Sequence, residues 1–364
     1  MKNLLPIFLI ILTLCSSTPN KPKTEDSSSI VQSDTTSLEF RTDRRVETLY
    51  IVFLLADYPL LTPFPNSYKT DALEYFGKYK NHNAVVLAKA LVEKGFVADY
   101  AVSWLFQFSD FPEFARTGTV SFPFAKRPLP ADSLELFRKE LIRFYTETEC
   151  EFFFKTQEGF YQTMVAAVRD SFSRKDIIPV IETYFGIKKS AEYEVILSPL
   201  MHSGGFAIER SDKNALYALV GPGAVKDSFP EFDKVFLEQD LVIHEFSHNY
   251  ANPIVEQFMA ETKKLEKDLF PAVREKVEQE GYASWESFMF ELIVRATTIR
   301  IVENVYGTEA AAELIDYETS VGFEYVTAIA DELKTYEAQR DKYPTLVEFY
   351  PNIIRRLGDP STRP

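Results

Sequence analysis

Two of the chain's four histidines stand in the stretch LVIHEFSHNYANP, Leu241 to Pro253, with a glutamate between them. His244 and His248 are four residues apart, so in a helix the two imidazoles lie one above the other on a single face. Both can then reach one divalent cation while Glu245 stands beside it. This HExxH spacing suits metal-assisted hydrolysis with the carboxylate as general base. With four histidines in 364 residues, a chance HExxH arises in roughly one chain in a few hundred, so the motif asks for structural support.

A catalytic zinc site takes three protein ligands and keeps a fourth position open for water, whose pKa falls to about 7. A third ligand must therefore come from elsewhere. His82 and His202 both lie upstream. A Gly and a His three and six residues after the second histidine would make the site a metzincin's, but Ala251 and Ile254 hold those places and exclude that class. Downstream, Glu256, Glu261, Glu266, Glu278, Glu280, Glu286 and Glu291 are all candidates. Most of them alternate with Lys and Arg in QFMAETKKLEKDLFPAVREKVEQEG, the pattern of a solvated helix face.

Glu286 follows Ser284, where the serine can cap a helix and the acid can meet its positive end, so it has a structural explanation. Glu291 has none: it is the only charge in SFMFELIV. An ionised carboxylate buried there costs several kcal/mol unless it is paired or bound to a cation. Two partners are at hand, a zinc ion and Arg295 one turn further on, and Arg295 is also a candidate to orient the ligand from behind. For stabilising a developing oxyanion, His202, Tyr250, Tyr317 and Tyr325 are the candidates.

The helix that carries the motif is expected to start after Pro230, with Asp233 as a cap, and to stop at Asn252, because Pro253 disfavours a helical residue before it. Ahead of it the period changes. YEVILSPL and FAIER are strand candidates joined by MHSGG, and SDKN turns into ALYALVGPGA. These predict a small antiparallel sheet beside the motif helix, whose GGFAI segment is a candidate edge for an extended peptide. Further upstream, ETLYIVFLLADY reads as a buried strand or the start of a helix. Helical spacing runs through Ala72–Gly95, Asp132–Phe144 and Gln157–Ser173, and again almost to the end after the motif. The expected fold is therefore α+β and mostly helical.

At 46% hydrophobic and 14% aromatic, the chain can bury a large core. Acidic residues outnumber basic ones 54 to 40, for a net charge of −14, which disfavours a nucleic-acid partner. The N-terminus, MKNLLPIFLIILTLCSS, places one lysine before an apolar run from Leu4 to Leu14 that is of signal-peptide length and too short to span a bilayer. Its LTLC ending resembles a bacterial lipobox with Cys15 as the lipidated residue, although Leu14 stands where a small residue is usual; a plain secretory signal is the alternative. Residues 1–15 are thus expected to be a leader, 16–38 a polar flexible tether and 39–364 one domain, exported and held to the membrane through the lipid anchor alone. Cys150 is the only other cysteine, so an anchored chain has no disulfide framework.

With HEFSH, Glu291 and this leader together, the chain resembles the gluzincin-type zincin metallopeptidases. More narrowly, IHEFSHNYANP, FELIVRA, and GFEY followed by KYPTLVEFYPNII resemble a family of uncharacterised exported bacterial lipoproteins, a domain of unknown function, over Thr48 to Leu357. The resemblance implies His244, His248 and Glu291 as zinc ligands and Glu245 as base. The function expected is zinc-dependent hydrolysis of a peptide or protein substrate. Two other functions stay open: an exported binding lipoprotein with a structural or inactive zinc site, and a zinc hydrolase of a non-peptide, cell-wall amide.

Overall fold

The computed structural model describes residues 38–118, 129–172, 176–210, 214–233 and 237–362. Cys15 and almost all of the expected tether lie outside the described residues. The first described residues, Leu38–Arg41, form a strand, β1. No helix among the described residues is long and apolar enough to cross a membrane.

The fold is α+β and mostly helical. After β1 come α1 (Arg44–Leu55), α2 (Ser67–Phe76), α3 (Asn83–Val92), α4 (Ala98–Leu105), α5 (Ala131–Glu147), α6 (Cys150–Thr156), α7 (Glu158–Ser171) and α8 (Ile177–Phe185). Strands β2 (Glu192–Leu197), β3 (Gly204–Arg210), β4 (Ala215–Gly221), β5 (Ala224–Lys226) and β6 (Phe229–Glu231) follow. The chain then returns to helix: α9 (Val242–Gln257), α10 (Met259–Thr262), α11 (Glu266–Gln279), α12 (Trp285–Tyr306), α13 (Thr308–Ser320), α14 (Val326–Ala338) and α15 (Leu346–Gly358).

The main sheet is mixed rather than antiparallel throughout, in the order β1-β2-β4-β3. β1 runs parallel to β2, pairing Leu38 with Tyr193, and β2 runs parallel to β4, pairing Glu192 with Ala215. Only β3 is reversed: it forms the expected hairpin with β4, from Gly204 opposite Gly221 to Arg210 opposite Ala215. The second half of β2 and all of β4 carry the continuous apolar runs that burial on both faces requires, with Val195, Ile196, Leu197 and every residue of β4 buried. A separate antiparallel pair joins β5 to β6.

ETLYIVFLLADY is helix, not strand. Asp43 accepts a hydrogen bond from the Arg45 amide at the start of α1, and every residue from Arg45 to Leu55 is buried. Burial on all sides erases the polar stripe that would have marked it as helical. A short 3-10 turn, Gly77–Tyr79, divides the Ala72–Gly95 region into α2 and α3.

The motif helix also departs from expectation at both ends. A π-helical turn, Leu237–Leu241, leads into it, and residues 234–236, next to the expected cap at Asp233, lie outside the described residues. At the other end, α9 continues through Pro253 to Gln257. An interior proline costs about 3 kcal/mol, but Ile254 and Val255 beyond it are 2% and 0% exposed. Burying each contributes about 1.5–3 kcal/mol, enough to carry the helix past the proline.

α9 is packed between α12 on one side and β3 with β4 on the other. Gly205 on β3 permits the close approach: a Cβ there would stand 2.8 Å from the Leu219 carbonyl oxygen and 3.1 Å from the Leu241 side chain at the helix entry. α12 is a 22-residue helix that starts with a capping box, Ser284 and Ser287 each closing on the other's backbone, and is buried continuously from Phe288 to Val302.

Candidate metal centre

Helix α9 presents His244 and His248 on one face, as their spacing requires, and α12 packs against it and carries Glu291. The two Nε2 atoms lie 3.1 Å apart. Glu291 Oε2 is 3.6 Å from His244 Nε2, and Oε1 is 3.4 Å from His248 Nε2. A tetrahedral ion with bonds of about 2.0–2.2 Å sets its ligand atoms about 3.3–3.6 Å apart, so the two carboxylate–imidazole spacings suit one shared cation and the two imidazoles stand slightly closer than that. Among the described residues these three are a buried group whose ligand atoms all fall within 4.8 Å of one another.

The chemistry of the donors agrees. Burial holds His248 down to about 3 and pushes His244 well below its usual range, so both rings are neutral and offer lone pairs. Asn252, one turn past His248, places its side-chain oxygen 3.3 Å from His248 Nδ1. An amide oxygen accepts, so Nδ1 carries the proton and Nε2 is left bare toward the group. Glu291 Oε1 is buried without a hydrogen-bond partner, a donor atom that fits a cation.

Glu291 faces Arg295 on one side and the two imidazoles on the other. Oε2 accepts from Arg295 Nε at 2.9 Å and also faces His244, while Oε1 faces His248. Burial pushes Glu291 up to about 7 against the pull of Arg295. Burial would likewise lower Arg295, but the carboxylates of Glu318 and Glu291 hold it well above its usual range. Its guanidinium also donates to Glu318 on α13 and, at 3.3 Å, to the Tyr282 hydroxyl, and it lies 4.2 Å over the Phe323 ring.

Glu245 is fully buried, and neither of its oxygens has a hydrogen-bond partner. Burial first, then the nearby charges of Glu291 and Asp240, push it well above the usual carboxylate range. The backbone of Ala207 on β3 pulls the other way. The structure thus sets a free carboxylate between the three-donor group and the edge of the sheet.

The other candidates are placed less favourably. The Tyr325 hydroxyl donates to the Leu269 carbonyl at 3.0 Å, which commits its proton to the scaffold. Tyr250 shares a hydrogen bond with Tyr193 and lies 3.4 Å from Glu182. His202 is buried in the loop between β2 and β3 and is not part of the three-donor group. Tyr317 sits beside Glu318 and feels the charges of Arg295 and Glu318. GGFAI is an edge strand by topology, but all of Gly204–Ile208 is buried, with α4 and α9 packed against β3. Glu286 is explained as expected, near the start of α12, and pairs with Lys263 at 2.5 Å.

Three contributors escaped the sequence reading. Asn252 carries a usable signal, since it continues the four-residue spacing of His244 and His248. Glu318 and Tyr282 carry none that is comparable: Glu318 is one of four acids in TEAAAELIDYETS, and Tyr282 stands in a polar turn.

An α+β protein with a buried His-His-Glu group on two crossing helices is the class these observations define. The chain belongs to the DUF4932 family, a domain of unknown function, which it matches over residues 60–356. No curated protein and no solved structure matches it.

Proposed function

We propose that this chain is a zinc-dependent hydrolase of peptide bonds, of the gluzincin type, exported and lipid-anchored through Cys15 in a bacterial cell envelope. The observation that carries this reading is the unpartnered carboxylate of Glu245 beside a group of three donors. Structural zinc sites are closed by four protein ligands, whereas catalytic ones use three and leave a position for water. Here His244, His248 and Glu291 supply three among the described residues.

His244 and His248 would hold zinc through Nε2 and Glu291 through Oε1. When bound there, the ion would supply Lewis acidity that makes water nucleophilic near neutral pH. Glu245, whose carboxylate lies beside the three donors, is the general base of this reading, the group that would take a proton from water and return it to a leaving amine. Asn252 fixes the His248 ring, and Arg295 fixes Glu291. A peptide or protein is the substrate class, and the excess of acidic residues argues against nucleic acid.

The test is a comparison of wild type with Glu245→Gln on a peptide library. Glu245→Gln is expected to bind zinc as wild type does while losing cleavage by at least about a hundredfold. Equal cleavage by both would remove Glu245 from the chemistry.

A second reading rests on burial. His244 and His248 are each only 2% exposed, so substrate needs an opening of the structure to reach them. A binding lipoprotein with a structural ion fits that enclosure, and it predicts bound zinc with no hydrolysis of peptides or of cell-wall amides.

A further inference from the structure

The guanidinium of Arg295 is held from several directions. Its Nε reaches Glu291 Oε2 at 2.9 Å, its terminal nitrogens reach Glu318 and the Tyr282 hydroxyl, and Phe323 lies under its face. Arg295, Glu291 and Glu318 are 4%, 0% and 3% exposed, so water screens none of these charges. A lone arginine cation beside a ligand carboxylate would repel a divalent ion and draw electron density from the donor. Glu318, on a different helix, meets that same guanidinium, so two carboxyl groups share the one arginine.

We infer that Glu318, which touches none of the three donors, is a positioning residue of the metal centre that acts through Arg295. Arg295 holds Oε2, which fixes the carboxylate with Oε1 toward His248 and Oε2 toward His244, and Glu318 both anchors the guanidinium and offsets its charge toward the cation. This inference rests on the metal-centre reading and adds to it a residue that sets affinity from outside the donor group.

The experiment is a double-mutant cycle read by zinc affinity, with zinc competed against a chromogenic chelator and metal-free thermal unfolding as the check on folding. Glu318→Gln keeps the shape and strands the arginine charge; it should weaken zinc by about ten- to a hundredfold. Glu318→Asp keeps the charge and should recover most of that loss. In an Arg295→Gln background, where no guanidinium remains to neutralise, Glu318→Gln should cost at most about threefold.

Equal losses in the two backgrounds, or wild-type affinity in Glu318→Gln, would overturn the inference while leaving the metal centre standing. Wild-type protein that binds no zinc would overturn the metal centre itself. If Glu318→Gln alone does not fold, the Arg295→Gln background still decides, because a loss there above about tenfold contradicts action through Arg295.

Discussion

Asn252 Oδ1 lies 3.3 Å from His248 Nδ1, one turn along the same helix, and so fixes which nitrogen of that ring faces Glu291. The contact is local to α9, which persists through Pro253 only because Ile254 and Val255 are buried beyond it. Asn252→Ala leaves the donors intact but frees the His248 ring. Zinc affinity is expected to fall by about ten- to a hundredfold, while Asn252→Asp, which keeps an acceptor, should stay closer to wild type. Chelator competition measures both; an unchanged affinity in Asn252→Ala would leave His248 oriented by packing alone.

A different part of the molecule also contributes to the pH dependence of stability. Burial pushes Glu47 on α1 up from its ordinary 4.5 to about 8, and Asp99 on α4 up from 3.8 to about 7. The hydroxyls of Ser198 and Tyr68 moderate Glu47 without forming aligned hydrogen bonds to it. At these two positions the folded chain keeps protons that the unfolded chain releases, so their contribution to stability falls as pH rises from about 4 to about 8. Below that window both states are protonated, and above it both are ionised. Glu47→Gln should flatten the fall by up to about 5 kcal/mol. Chemical denaturation at pH 5 and pH 8 reads the difference; the same slope in variant and wild type would show that Glu47 is ionised in the fold.

Gly221 tests how the end of the sheet is closed. A Cβ there would stand 1.9 Å from the His202 carbonyl oxygen and 2.8 Å from that of Met201, both backbone atoms that cannot swing aside. Gly221→Ala should destabilise by about 1–3 kcal/mol or more as the β2–β3 loop is displaced. Denaturant unfolding checks it, and a loss below about 0.5 kcal/mol would mean that the loop yields freely.

How much of this was legible in the sequence depends on the range of the interaction. His244, Glu245 and His248 are set by spacing within one helix, and Glu291 stood out because a lone charge in an apolar run requires a partner. Glu318 did not stand out, because its burial arises only when α13 folds against α12, and a glutamate among other acids looks solvated until then. The hairpin of β3 and β4 was visible through its turn. The parallel pairing of β1 with β2 joins residues more than 150 apart, such as Leu38 and Tyr193, and a four-residue strand leaves no periodic mark of that partner. Pro253 misled for a physical reason: the local penalty was read correctly, and the tertiary burial that outweighs it was invisible.

The central claim is that His244, His248 and Glu291 hold one cation. Zinc per chain, measured by mass spectrometry on protein loaded and freed of loose metal, tests it most directly. The account predicts about one zinc in wild type and a loss of that zinc in the His244→Ala, Glu291→Ala double variant. A wild-type chain that retains no zinc, or a double variant that retains it in full, would contradict it.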